Sequence, residues 1–152
     1  MNKISHFWMD TVDKNTRRVE RHEKEKGGMD KKKIMIVDDE KSLTDMLKLM
    51  LEKTGKYEIL TENKGAQALG AAMSFKPDML LLDVMMPDMD GGEVARRIKN
   101  NEETKDIRVV FLTAAVTREE GGKIGSNMGG YPFIAKPVSM ELLLGYVEKN
   151  LP

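Results

Sequence analysis

From residue 33 onward, short apolar runs alternate with longer segments of helical periodicity, and few architectures accommodate that alternation. The first run, Lys33 to Val37 in KIMIVDDE, is apolar at consecutive positions and ends in acids. Consecutive rather than every-other apolarity predicts a strand covered on both faces, as in a parallel sheet. Residues 41–53 then place Leu43, Met46, Leu47, Met50 and Leu51 at helical spacing, and Gly55 ends that helix. A second strand is expected at 57–63 and an Ala-rich helix at 65–75, broken by Lys76-Pro77. DMLLLDV (78–84) is the third and most apolar run. A loop through Met86 to Gly91 leads to a helix over 92–100, with Val94, Ala95 and Ile98 inward. IRVVFLT (107–113) and YPFIA (131–135) are the fourth and fifth strands. Thr117 to Glu120 has capping-box spacing for an intervening helix. Ser139 can cap a last helix, 140–150, with Leu142, Leu143, Tyr146 and Val147 apolar.

Five strands alternating with five helices imply an α/β fold, a doubly wound five-stranded parallel sheet with helices on both faces. The expected organisation is a polar N-terminal extension, 1–30, helical or mobile, followed by one domain, 31–152. Residues 10–26 alternate in charge sign with few apolar positions, and Gly27-Gly28 interrupts them. Ile4, Trp8, Val12 and Val19 could form a thin helical stripe within the extension. Translation beginning at Met29 is one expectation, which peptides from residues 3–14 in the native protein would contradict.

Composition removes several function classes. The 152 residues include no Cys, so disulfide scaffolds, Cys-ligated zinc, Fe–S clusters and thiol chemistry are excluded. The 25 Lys+Arg balance 25 Asp+Glu, leaving no large basic field for nonspecific binding to nucleic acid or an anionic membrane. Lys31-Lys32-Lys33 is too short a basic run to change that. No phosphate-cradling glycine motif for nucleotides occurs. No apolar run reaches the roughly 18–20 residues of a membrane span.

In doubly wound sheets the reactive groups gather beyond the carboxyl ends of the strands. Here those ends carry Asp38-Asp39-Glu40, Asp83, Thr113 and Lys136-Pro137. Each has an ordinary structural reading: a helix cap for the acids, a surface lysine, a β-favouring threonine. Together, three carboxylates, a hydroxyl and an ammonium would converge. Two like charges at about 4 Å cost about 4 kcal/mol at an effective dielectric near 20. Lys136 offsets part of this. A hard divalent cation would offset more, and Mg²⁺ is the expected one, because it binds one or two carboxylates and keeps waters for phosphate oxygens. Asp83, ending the most apolar strand, is the candidate nucleophile for an aspartyl phosphate, with Thr113 as hydrogen-bond donor and Lys136 as cation.

At this point the chain resembles the receiver domain of two-component response regulators over about residues 31–152. The resemblance rests on IVDDE, LLLDVMMPDMDG, FLTA and AKP, in that order and at fitting separations. It implies a flavodoxin-like (βα)5 fold and phosphorylation of Asp83. It implies Mg²⁺ held by Asp39 directly, by Asp38 through water, by Asp83 and by the backbone carbonyl of Met85. Thr113 and Phe133 match the switch hydroxyl and switch aromatic, although Phe133 could equally be plain core. Lys136 matches the family's lysine, and Pro137 a proline that follows a cis bond. The implied partners are a histidine kinase or phosphotransfer protein and a downstream protein effector, in the cytoplasm, with no direct nucleic-acid or membrane contact.

The chain stops at Pro152 after the last helix, which leads to the expectation of a stand-alone, chemotaxis-messenger-like receiver, a relay intermediate or a phosphate sink. Two other classes are alternatives. An aspartate-nucleophile phosphohydrolase would want a second acid two residues after Asp83, where Met85 stands. A phosphorylation-independent interaction module would not need the full set of acids, Thr and Lys. Two local features stand out. Met85, Met86 and Ala115 put apolar groups around the site, which is expected to alter the phosphoryl lifetime. The 13 Met are otherwise read as core filler. Residues 121–130, GGKIGSNMGG, hold 5 of the 13 glycines where the family places its fourth helix. At about 0.8–1 kcal/mol for each interior Gly, that helix is expected to be short, mobile or partly unwound.

Overall fold

The computed structural model describes residues 30–114 and 125–152. The extension through residue 29 and the capping box at 117–120 lie outside the described residues. In chain order the elements are β1 (Lys32–Val37), α1 (Lys41–Glu52), β2 (Tyr57–Glu62), a 3-10 turn (Gly65–Gln67), α2 (Ala68–Phe75), β3 (Met79–Asp83), α3 (Gly91–Lys99), β4 (Arg108–Thr113), β5 (Gly125–Met128), β6 (Tyr131–Ala135) and α4 (Met140–Asn150).

The sheet order is β2-β1-β3-β4-β6-β5. The five strands expected from the apolar runs (β1, β2, β3, β4 and β6) pair in parallel. Central β3 is buried at every position, which is why its sequence is apolar throughout. Alternate strand residues feed two cores. Met35, Val37, Leu80 and Leu82 pack with Ala68, Ala72, Val94, Ala95 and Ile98 from α2 and α3. Ile34, Ile36, Leu81 and Leu112 pack with Leu47, Leu51, Leu143 and Val147 from α1 and α4.

The buried stripe of α1 is narrower than its apolar spacing. Thr44, Leu47 and Leu51 are buried, whereas Met46 and Met50 are exposed. Thr44 can occupy a core position because its hydroxyl is satisfied: it donates to Lys41 O at 3.0 Å and accepts from Asn63 Nδ2 at 3.0 Å. Methionine is thus divided in role. Met35, Met79 and Met86 are core, and Met46, Met50 and Met85 face solvent.

The glycine-rich stretch, where a short, mobile or partly unwound helix is expected, is described from residue 125 onward. Its described part forms a strand, β5, that pairs antiparallel with β6 at the edge of the sheet. Gly129 and Gly130 lie between Met128 and Tyr131, which face each other across the ladder. Both have positive φ, 63° and 88°. That is the backbone of a tight two-residue hairpin turn, which glycine adopts without a Cβ penalty. The sheet therefore has a sixth, antiparallel strand beside the expected five.

Candidate functional site

Because β1, β3, β4 and β6 run in parallel, their carboxyl ends share one rim of the sheet, and the sequence-predicted residues meet there. Asp38 follows β1 and is fully buried. Its Oδ1 accepts from Glu40 N at 3.0 Å, and its own N–H donates to Glu62 O at 3.1 Å. Glu40 is the N-cap of α1, yet its side chain makes no capping hydrogen bond. Glu40 is therefore not explained as a side-chain cap. Asp39 is exposed.

Asp83 ends β3 with 5% of its surface exposed. Its Oδ1 accepts from Met85 N at 3.3 Å and lies 3.4 Å from Lys136 Nζ. Lys136 follows β6 and reaches back over the rim, with Nζ 2.6 Å from Asp38 Oδ2. That oxygen receives no well-directed hydrogen bond, alone among buried side-chain polar atoms of the described residues, so its contact with Lys136 is one of charge. Thr113 closes β4 and is buried. Its carbonyl accepts from Lys136 N at 2.8 Å, which pins the lysine loop to the site. The Lys136–Pro137 bond is cis. Phe133 is buried in the core cluster, opposite Phe111 in the ladder.

The electrostatics follow from burial. Desolvation, and then the neighbouring Asp38, push the Asp83 carboxyl up to about 6, against the opposing pull of Lys136 and the Met85 amide. Burial alone would lower the Lys136 ammonium, but Asp38 and Asp83 outweigh it and hold the pKa above its ordinary value. One ammonium facing three carboxylates leaves the rim short of positive charge. Oxygens of Asp38, Asp39 and Asp83 lie within 4.8 Å of one another. This donor set, three carboxylates facing one ammonium, suits a hard cation such as Mg²⁺. Met85 is beside these groups, its side chain 74% exposed, so its bulk projects into solvent at the mouth of the site. Met86 turns inward and packs under the loop.

Three residues that shape the site were not singled out from sequence. Asn63 Nδ2 donates to Asp38 O at 2.8 Å. Asp88 accepts from Gly65 N at 3.2 Å and Ala66 N at 3.0 Å, tying the loop after β3 to the loop after β2. Gly91 begins α3, where Asp90 Oδ1 caps the helix by accepting from Gly92 N at 2.6 Å. A Cβ on Gly91 would overlap the carbonyl oxygen of Asp83 and approach Val84 Cα to 2.8 Å. The loop can fold back this closely only over glycine. The Asp90-Gly91-Gly92 run was the available signal for it, but such runs also mark ordinary turns.

A family model described as the response regulator receiver domain matches residues 34–148. The phosphate regulon transcriptional regulatory protein PhoB of Pseudomonas aeruginosa is 43% identical over 121 residues, covering 79% of this chain and 52% of that protein. The alkaline phosphatase synthesis transcriptional regulatory protein PhoP of Bacillus subtilis is 35% identical over 108 residues, 71% of this chain and 43% of that protein. Among solved structures, chemotaxis protein CheY4 of Vibrio cholerae superposes with a TM-score of 0.68 at 29% identity, covering 80% of this chain and 99% of that one. The chain spans about half the length of the curated relatives it matches.

Proposed function

The chain belongs to the response regulator receiver family, and on that premise we propose that it takes a phosphoryl group onto Asp83 from a phosphohistidine donor, with Mg²⁺ as cofactor. The observation that carries this reading is Lys136 Nζ between Asp38 Oδ2 and Asp83 Oδ1, at 2.6 and 3.4 Å, on a rim holding a third carboxylate, Asp39.

A carboxylate oxygen of Asp83 attacks phosphorus. A P–O bond forms, the P–N bond to the donor histidine breaks, and the imidazole leaves as the neutral ring after taking up a proton. Lys136 is placed to pair with a phosphoryl oxygen, and Thr113 stands at the same rim to donate a hydrogen bond. Asp39, Asp83 and the Met85 carbonyl would hold Mg²⁺ directly, and Asp38 through water. When bound, the ion supplies the positive charge the rim lacks. Thr113 and the buried Phe133 are the residues through which phosphorylation would alter the β4–β6–α4 face.

The chain thus acts as a signalling phosphoacceptor, not as an enzyme turning over a separate substrate. Its partners are a histidine kinase or phosphotransfer protein and a protein effector. The balanced charge supports readout by protein contacts rather than by direct binding of nucleic acid. PhoB and PhoP are named as transcriptional regulators, but about half of each lies outside the match, so that output is not assigned to this region. Among the described residues, no helix is long and apolar enough to cross a membrane.

Incubation with Mg²⁺ and acetyl phosphate, followed by intact mass measurement, tests the reading. One added phosphoryl group is expected on the wild type and none on Asp83→Ala. An adduct retained in Asp83→Ala would overturn the assignment, and no adduct on either would favour a phosphorylation-independent module.

A further inference from the structure

The loop after β2 contributes no carboxylate, hydroxyl or ammonium to the site, yet it is bonded to both acidic loops. On one side, Asn63 Nδ2 donates to Asp38 O at 2.8 Å and to Thr44 Oγ1 at 3.0 Å. On the other, the Gly65 and Ala66 N–H groups hold Asp88, in the loop that continues from Asp83. Asp38 O is where the chain leaves β1 and turns into α1. A carbonyl can only accept, so the amide nitrogen, not its oxygen, must face it. The second N–H of the same nitrogen is spent on a threonine that is itself buried in α1. One side-chain nitrogen thereby joins the end of β1, the first turn of α1 and the end of β2.

We infer that Asn63 is a positioning residue for the cation site: by fixing the Asp38 backbone against Thr44, it sets where the Asp38 and Asp39 carboxylates point. The inference rests on the proposed Mg²⁺ site. Three carboxylates short of positive charge repel, and a loop free to relax would spread them. A clamp on the backbone between them holds the donor oxygens close enough to share one ion. Groups that orient metal ligands without touching the metal typically govern affinity by 10- to 100-fold, an order-of-magnitude guide to this case.

The test is Mg²⁺ titration of the intact chain by calorimetry and by amide NMR shifts, without any phosphoryl donor. Asn63→Ala is expected to weaken Mg²⁺ binding about tenfold. The rate of phosphorylation by acetyl phosphate should fall at low Mg²⁺ and recover at saturating Mg²⁺. Asn63→Asp keeps the side chain's size but replaces the donating nitrogen with an oxygen. Its added negative charge alone would tighten Mg²⁺ binding, whereas loss of the clamp weakens it, so weaker binding supports the inference and tighter binding overturns it. Thr104→Val is the stability control. It removes a buried hydroxyl that donates to Ile98 O at 2.6 Å, between α3 and β4 at the opposite end of the sheet. It should lower the Tm and leave Mg²⁺ affinity unchanged. Affinity in Asn63→Ala within about twofold of wild type, or a loss equal to that in Thr104→Val, would refute a positioning role. Failure of the wild type to bind Mg²⁺ at all would overturn the proposed function, and this inference with it.

Discussion

Lys136 lies 2.6 Å from Asp38 Oδ2 but 3.4 Å from Asp83 Oδ1. The lysine is thus engaged chiefly with the fully buried acid, leaving the candidate phosphoacceptor the less neutralised of the two. Lys136→Met should therefore harm the metal-free protein most, because it strands the buried Asp38 carboxylate. Breaking a buried pair costs about 3–5 kcal/mol, and the partial exposure of Lys136 reduces this to about 2–3 kcal/mol. Urea unfolding in a chelator reads the loss directly. Adding Mg²⁺ should raise the Tm of the variant more than that of the wild type, since the ion then stands as the main counter-charge. Unchanged stability in chelator would show that the ion pair is not a structural element.

Asp83 titrates near 6 in the folded state and near its ordinary 3.8 in the unfolded chain. An acid with a raised folded pKa binds its proton more tightly when folded. It adds no penalty below about pH 4, a growing one between pH 4 and 6, and the full penalty above. Metal-free stability should thus fall by about 1–3 kcal/mol across that window as pH rises. Asp83→Asn should be the more stable protein at pH 7 and lose this component. The difference between wild-type and Asp83→Asn unfolding curves, taken from pH 4 to 7 in chelator, isolates it from the other carboxylates. A difference that is flat with pH would contradict the raised value.

Gly91→Ala drives a methyl group into the Asp83 carbonyl and the Val84 backbone, atoms that cannot swing aside. A destabilisation of about 2–3 kcal/mol is expected, at the upper range for overpacking. The loop bearing Met85 would move with it, so phosphorylation by acetyl phosphate should slow as well. Gly70→Ala, in α2 with open space around the position, should be neutral or slightly stabilising. Equal effects of the two substitutions would remove the steric argument.

Met85 exposes its side chain at the mouth of the site while its N–H donates to Asp83 Oδ1. Met85→Asn keeps that backbone bond and replaces a thioether with a carboxamide able to orient water. The phosphoryl group on Asp83 should then hydrolyse several-fold faster, as followed by loss of the added mass over time. Identical half-lives would show that this side chain does not govern water access.

The five parallel strands, the two-sided burial and the rim that carries the acids were all legible in the chain itself. Periodicity and consecutive apolar runs such as Leu80, Leu81 and Leu82 report local conformation and burial, and parallel pairing then forces Asp38, Asp83, Thr113 and Lys136 to one edge. Other features depended on contacts between residues distant in sequence. The buried stripe of α1 includes Thr44, whose hydroxyl is satisfied by Asn63, beside Leu47 and Leu51, while Met46 and Met50 face outward. The β5–β6 hairpin depends on positive φ at Gly129 and Gly130 and on pairing with β6, whereas glycine's low helix propensity signals only a weakened helix. The roles of Asn63, Asp88 and Gly91 are likewise set by what approaches them, 19 to 25 residues away for the two side chains. Local sequence therefore determined which groups reach the rim. Tertiary packing decided how they are held and how their charges are shared, because hydrogen bonding and electrostatics act through space and not along the chain.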